Sequence, residues 1–195
     1  METMKEIEGL VHLGSIQKFQ NCMPQIRERI RNVPKKDVHR IKDLIASIKN
    51  KNCEIPEAPG LYFVGQWTEP QNLTLCTAES LEYKAIKGGW FDKKWEAVNE
   101  KLKRNSRLLY IGKAENLNDR VSCYMEFVDD IVKGKTSKKS HRGGRAICLL
   151  KEVPELEIFW FSLSGLDIDP EIVEKQLLLN YKAAHHDYPF ANWRL

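Results

Sequence analysis

The sequence predicts an α+β protein. Short runs of apolar and β-favouring residues are interspersed with longer stretches whose apolar residues recur every three or four positions. Of the 195 residues, 42% are hydrophobic and 30% charged, and no repeat or low-complexity segment interrupts them. That balance is ordinary for a globular chain, and the length suits one compact domain with an appendage or two very small ones.

Residues 1 to about 50 read as helical. Val38, Ile41, Ile45 and Ile48 share one helix face, Ser15 is a candidate cap for an earlier helix, and Pro24 and Pro34 interrupt the pattern. The first strand signal is Leu61 to Val64, introduced by Pro59 and Gly60. Residues 65 to about 88 look irregular. Phe91, Trp95, Val98 and Leu102 then outline an amphipathic helix. A second strand, Leu108 to Ile111, ends at Gly112. Leu117, Val121, Val128 and Ile131 mark a helix capped by Asn116. Ala146 to Leu150 and Leu156 to Leu163 read as two further strands. The last helix opens with Asp169 as cap, Pro170 in the first turn and Glu171 near the positive end of its dipole, and runs to about Ala184.

The net charge of +4 is mild, but its distribution is uneven. Lys133, Lys135, Lys138, Lys139, Arg142, Arg145 and Lys151 follow one another without an acid among them. Such a run suits a polyanion, although a solvated loop gives the same pattern. The five cysteines are scattered, odd in number and without a CxxC pair, so reduced thiols are expected rather than a disulfide framework or zinc knuckle. No apolar run approaches a membrane span and no apolar signal core opens the chain, so a cytoplasmic location and no membrane partner are expected.

Four pieces carry chemistry. Gly60-Leu61-Tyr62 lies in the first strand. Tyr110-Ile111-Gly112-Lys113 ends the second and runs on to Arg120. Glu174 lies inside the last helix, and Pro189 and Asn192 follow it. A strand tyrosine is ordinarily a packing residue, yet a phenol acts as general base where a cation or metal-bound water lowers its pKa. Lys113 can supply that field. Arg120 and Tyr124, four apart, project on one side of their helix, and a guanidinium grips two phosphate oxygens at once. Glu174 borders an apolar face, where a carboxylate wants a partner: a divalent cation, or a salt bridge to Arg120 or Lys113. One carboxylate is too few for a calcium cage but enough for a hydrated magnesium ion.

Together these residues resemble the GIY-YIG nuclease superfamily. Gly60-Leu61-Tyr62 is similar to its first signature and Tyr110-Ile111-Gly112 to its second. The stretch from Tyr110 to Tyr124 is similar to the N-terminal nuclease domain of the excinuclease C proteins, with Arg120 at the family's spacing. The resemblance covers roughly residues 58 to 193. It implies a small antiparallel β-sheet flanked by helices, here a domain over 56–195 behind a helical N-terminal extension over 1–55. It further implies a metal-dependent endonuclease, with double-stranded DNA as the expected partner and Mg2+ or Mn2+ on Glu174 as the cofactor. Tyr62, Tyr110, Lys113, Arg120, Tyr124 and Glu174 become the catalytic set, with either tyrosine as proton acceptor. Lys138, Lys139, His141, Arg142, Arg145 and Asn192 are the candidate nucleic-acid contacts, and His141 is also a candidate for proton transfer. A restriction-type, repair or mobile-element role stays open, as do a homodimer if both strands are cut and a binding module without chemistry. Family members usually join the two signatures by a short hairpin. Here residues 65–107 intervene, as a substrate-contacting element or a lid, or as packing.

Overall fold

Alternation of buried side chains on both faces of three hydrophobic strands organises the molecule. The computed structural model describes residues 2–11, 16–77, 79–86, 91, 93–104, 107–139 and 141–193, with the side chains of 2–4 and 142 left aside. Strand β1 (His39–Arg40), β2 (Gly60–Gly65), β3 (Leu108–Ala114) and β4 (Glu157–Ser162) form an antiparallel sheet in the order β1-β4-β2-β3. Central β2 is buried at every position, as expected of a strand covered on both faces. Tyr62 sits opposite Gly112 on one side and Trp160 on the other.

The helices are α1 (Glu2–Gly9), α2 (Gln17–Arg31), α3 (Ile41–Lys49), α4 (Leu81–Ala85), α5 (Trp95–Lys103), α6 (Leu117–Val132), α7 (Arg142–Ile147) and α8 (Pro170–His185). They divide between the two faces. Tyr62, Val64, Ile158 and Trp160 point into a core with α3, α6, α7 and the 65–107 insertion. Leu61, Phe63, Phe159 and Phe161 point into a second core with α1, α2 and α8. The α+β expectation with a helix-flanked antiparallel sheet is therefore what the chain forms.

The caps of α6 and α8 follow the sequence: Asn116 accepts from the Asp119 amide, and Asp169 from the Glu171 amide. Three elements differ from expectation. Ala146 to Leu150 is not a strand. Residues 142–147 are helical, and the segment contributes to pairing only through a single bridge between Leu75 and Leu150. Its run of apolar residues is buried all round, a state that short apolar runs reach as helix or strand alike. Val38 lies in extended backbone ahead of β1, so α3 begins at Ile41. Pro24 lies inside α2 rather than ending it. The proposed cap Ser15 lies outside the described residues.

The described residues of the insertion contribute to the core. Tyr83, Ile86, Phe91 and Val98 are buried in the first core, with α5 starting at Trp95, beyond Phe91. Lys101 of α5 is 8% exposed, donates to the Asn192 carbonyl at 2.7 Å and lies over the Trp193 ring. Burial pushes its ammonium down to about 8. Among the described residues, no helix is long and apolar enough to cross a membrane.

Candidate active site

Four aromatic rings meet on the α6 side of the sheet, and two glycines make room for them. A Cβ on Gly112 would overlap the Tyr62 ring, and one on Gly143 would overlap the Tyr110 ring. The ring centroids of Tyr62 and Tyr110 lie 5.8 Å apart. Tyr124, from α6, lies 6.2 Å from Tyr62. His141, which caps α7, stacks on Tyr124 at 4.4 Å.

The histidine is the residue whose place the sequence did not reveal. Expected among nucleic-acid contacts, it is 0% exposed, enclosed between Tyr62 and Tyr124, and offers no surface to a phosphate. Its Nε2 lies 2.8 Å from the Tyr62 hydroxyl, and its Nδ1 accepts from the Gly144 amide at 2.7 Å. Burial, aided by the Arg120 charge, pushes it down to about 3, so it is neutral at physiological pH. One signal was present. His-Arg-Gly-Gly-Arg ahead of an apolar run places a capping side chain before a helix whose glycines admit close packing.

Arg120 reaches the tyrosines from the first turn of α6. Its charge acts on the Tyr62 phenol, whose ring lies against that of Tyr110. Burial raises the Tyr62 phenol, with Arg120 opposing. Burial, then the neighbouring Tyr62, raises Tyr110 well above its ordinary value. The two phenols thus titrate as a coupled pair rather than singly. Tyr62 is fully enclosed, whereas Tyr110 keeps 8% of its surface exposed and is the member that meets solvent.

Glu174 comes from α8, across the edge of β3. Its charge acts on both phenols, and the Arg120 charge acts on it. Burial raises its carboxyl to about 7, against the lowering fields of Lys113 and Arg120. Lys113 does not form its ion pair with Glu174; its ammonium bonds Glu171, one turn earlier on α8. Among the described residues, no group of three or more His, Cys, Asp or Glu is placed to hold a metal. Glu174, with Glu171 one turn earlier on α8 as an acidic neighbour, therefore belongs to no three-ligand cluster. That set fits a magnesium or manganese ion that keeps most of its waters and completes its shell from a phosphate, and not a protein-only cage.

Two expected site residues, Tyr124 and Asn192, are engaged elsewhere. Tyr124 is 0% exposed, and among the described residues its hydroxyl has no hydrogen-bond partner. Its ring supports His141 instead of reaching the open side. Asn192 is 7% exposed, and its amide is used at both ends by one residue: the Ile111 amide donates to Oδ1 at 2.9 Å and Nδ2 donates to the Ile111 carbonyl at 2.8 Å. With Ala191 donating to Leu109, it closes the free edge of β3 rather than touching substrate. The Arg142 side chain lies outside what is described. Lys138, Lys139 and Arg145 are exposed as expected. Lys139 faces Glu126 at 3.4 Å and Lys133 bonds Asp129, so α6 supplies acids that the 133–151 window omits. Lys135, Lys138 and Arg145 have no acidic partner among the described residues.

Fold and site together define a class: an α+β protein with a four-stranded antiparallel sheet flanked by helices, consistent with the GIY-YIG-like fold, with paired phenols, a guanidinium and a carboxylate at the β3 edge. Part of the chain is similar to UvrABC system protein C of Fusobacterium nucleatum subsp. nucleatum, 29% identical over 96 residues. The match spans 46% of this chain but 14% of that protein. No family model matches the chain, and no solved structure gives a significant match.

Proposed function

We propose that the chain is a metal-dependent endonuclease that hydrolyses phosphodiester bonds in DNA. One observation carries the reading: the Tyr62 and Tyr110 rings lie 5.8 Å apart, within reach of the charges of Arg120 and Glu174, which come from two different helices. A buried group of this composition is hard to account for by stability alone, and perturbed titratable groups concentrate where chemistry is done. The similarity to a UvrABC system protein supports a nucleic-acid substrate.

In this reading the scissile phosphate lies between Arg120 and Glu174. Arg120 offsets the charge that builds on the phosphoryl oxygens. Glu174 would hold a magnesium or manganese ion, which when bound would supply Lewis-acid chemistry to the phosphate. The proton of the attacking water passes to the phenol pair through Tyr110, the member in contact with solvent. Lys135, Lys138 and Arg145 hold the phosphate backbone away from the cut. Restriction-type, repair and mobile-element roles are all compatible with this chemistry.

Plasmid incubated with magnesium, with and without chelator, tests the reading when wild type is compared with Glu174→Ala and Arg120→Ala. Cleavage should need the ion and fall on the order of a hundredfold or more without the arginine, as for other stabilisers of transition-state charge. Identical cleavage by all three proteins, or none by wild type on any nucleic acid offered, contradicts it. Duplex binding without cutting would mark a binding module instead.

A further inference from the structure

Tyr110 stands on β3, an edge strand of the sheet, and an edge keeps its place only when something satisfies its outer amides and carbonyls. The residues on both sides of Tyr110 have such a partner in the segment after α8. The Ala191 amide donates to the Leu109 carbonyl at 2.8 Å. The Ile111 amide donates to Asn192 Oδ1 at 2.9 Å, and Asn192 Nδ2 donates to the Ile111 carbonyl at 2.8 Å. Residues 190–192 belong to no helix or strand, and the Asn192 amide closes a turn onto the Pro189 carbonyl at 2.9 Å. One side chain of the 65–107 insertion meets that turn at both ends. The Lys101 ammonium donates to the Asn192 carbonyl at 2.7 Å, lies 4.7 Å from the centre of the Trp193 ring and stands 3.9 Å from the Asp187 carboxylate.

We infer that Lys101 is a positioning residue of the hydrolytic site: it pins the 187–193 turn on α5, and that turn fixes the backbone on either side of Tyr110. The inference rests on the nuclease reading, in which Tyr110 takes the proton of the attacking water. An ammonium offers three donors and no acceptor, and a carbonyl, a ring face and a carboxylate are groups that suit it. Its burial is costly, as its lowered pKa shows, and an apolar side chain would pack between α5 and the turn at less cost. What the lysine adds is a bond to the turn's own backbone. A displacement of about 1 Å at a reacting group is worth on the order of a hundredfold in rate. The insertion thus serves the site through the backbone of β3, at the two neighbours of the phenol.

Two substitutions separate positioning from packing. Lys101→Met keeps the apolar stem and removes the donor. Lys101→Arg keeps a charged donor that can reach the same carbonyl and ring. Three measurements are made on wild type and both variants: single-turnover cleavage of plasmid with magnesium at saturating protein, duplex affinity in chelator, and hydrogen exchange of the Ile111 and Ala191 amides with the amides of β4 as reference. Trp193→Leu, which removes the ring facing the ammonium, takes the place of Lys101→Met if that variant does not fold.

Lys101→Met should cut about tenfold or more slowly while binding duplex as wild type does. Its Ile111 and Ala191 amides should exchange on the order of tenfold faster, the equivalent of one lost hydrogen bond, while the β4 amides keep their rates. Lys101→Arg should recover to within a few-fold in both respects. Unmoved Ile111 and Ala191 amides in Lys101→Met overturn the inference, as does wild-type cleavage despite their faster exchange. Equal acceleration of the β4 amides assigns Lys101 to general stability and overturns it too. If wild type cuts nothing, the nuclease reading fails by itself, and the two amides still decide whether Lys101 holds the strand.

Discussion

Glu174 holds its proton up to about 7 because burial disfavours the carboxylate more than Lys113 and Arg120 favour it. The native protein therefore binds a proton there that the unfolded chain has released at an ordinary carboxylate value. Stability from this group is present at low pH and lost as pH rises through that window towards 7. A divalent ion reverses the balance, since it needs the carboxylate bare. Magnesium affinity, followed by calorimetry in buffers of differing ionisation heat, should fall about tenfold for each unit below pH 7, level off above it, and release a proton near neutrality. In Glu174→Gln both the proton release and the pH dependence should vanish. Magnesium binding that is flat from pH 5 to 8 would remove Glu174 as the metal residue.

At the scale of elements, the site depends on the edge of β3 staying in place. Asn192 satisfies the Ile111 amide and carbonyl, and Lys101 of α5 holds the Asn192 carbonyl. The 65–107 insertion therefore braces the end of the chain against the strand that carries Tyr110. Asn192→Leu should lower stability to urea by about 2–4 kcal/mol, because it leaves two buried backbone groups without partners. A loss under about 0.5 kcal/mol, as for an ordinary surface change, would mean that water replaces the amide easily. Elements of this kind explain what the sequence could convey. Strands β2, β3 and β4 and helices α6 and α8 were legible because hydrophobic period, caps and glycines all agreed. Segment 146–150 was not, since a run buried on every side has no period to read. His141 and Asn192 were misplaced for a related reason. Polar residues near a basic run or at a chain end suggest solvent, and only tertiary packing decides whether a backbone or a phenol claims them.

For the whole molecule, the same logic applies to charge. The N-terminal segment is basic in sequence, and the fold engages part of it internally: Arg29 on the Ser162 and Ser164 carbonyls, Arg31 on Glu8, Arg40 and Lys42 on Glu155, whereas Lys35 and Lys36 stay exposed. Lys135, Lys138 and Arg145, exposed and without an acidic partner among the described residues, lie in and just before α7 and its His141 cap. Duplex affinity in chelator should fall linearly with the logarithm of salt. Lys138→Ala with Arg145→Ala should reduce that slope by about two if each neutralises one phosphate. Changing Arg31 and Lys42 together should leave it unchanged, and equal effects from both pairs would contradict the placement of the surface.

In the proposed mechanism proton transfer turns on the phenol that faces solvent, and Tyr110→Phe removes its oxygen while keeping the ring against Gly143. Single-turnover cleavage of plasmid with magnesium should slow on the order of a hundredfold or more relative to wild type, the range of a lost general base, with duplex affinity unaltered. A phenylalanine variant that cuts at the wild-type rate would contradict the assignment of Tyr110 as proton acceptor, and with it the mechanism.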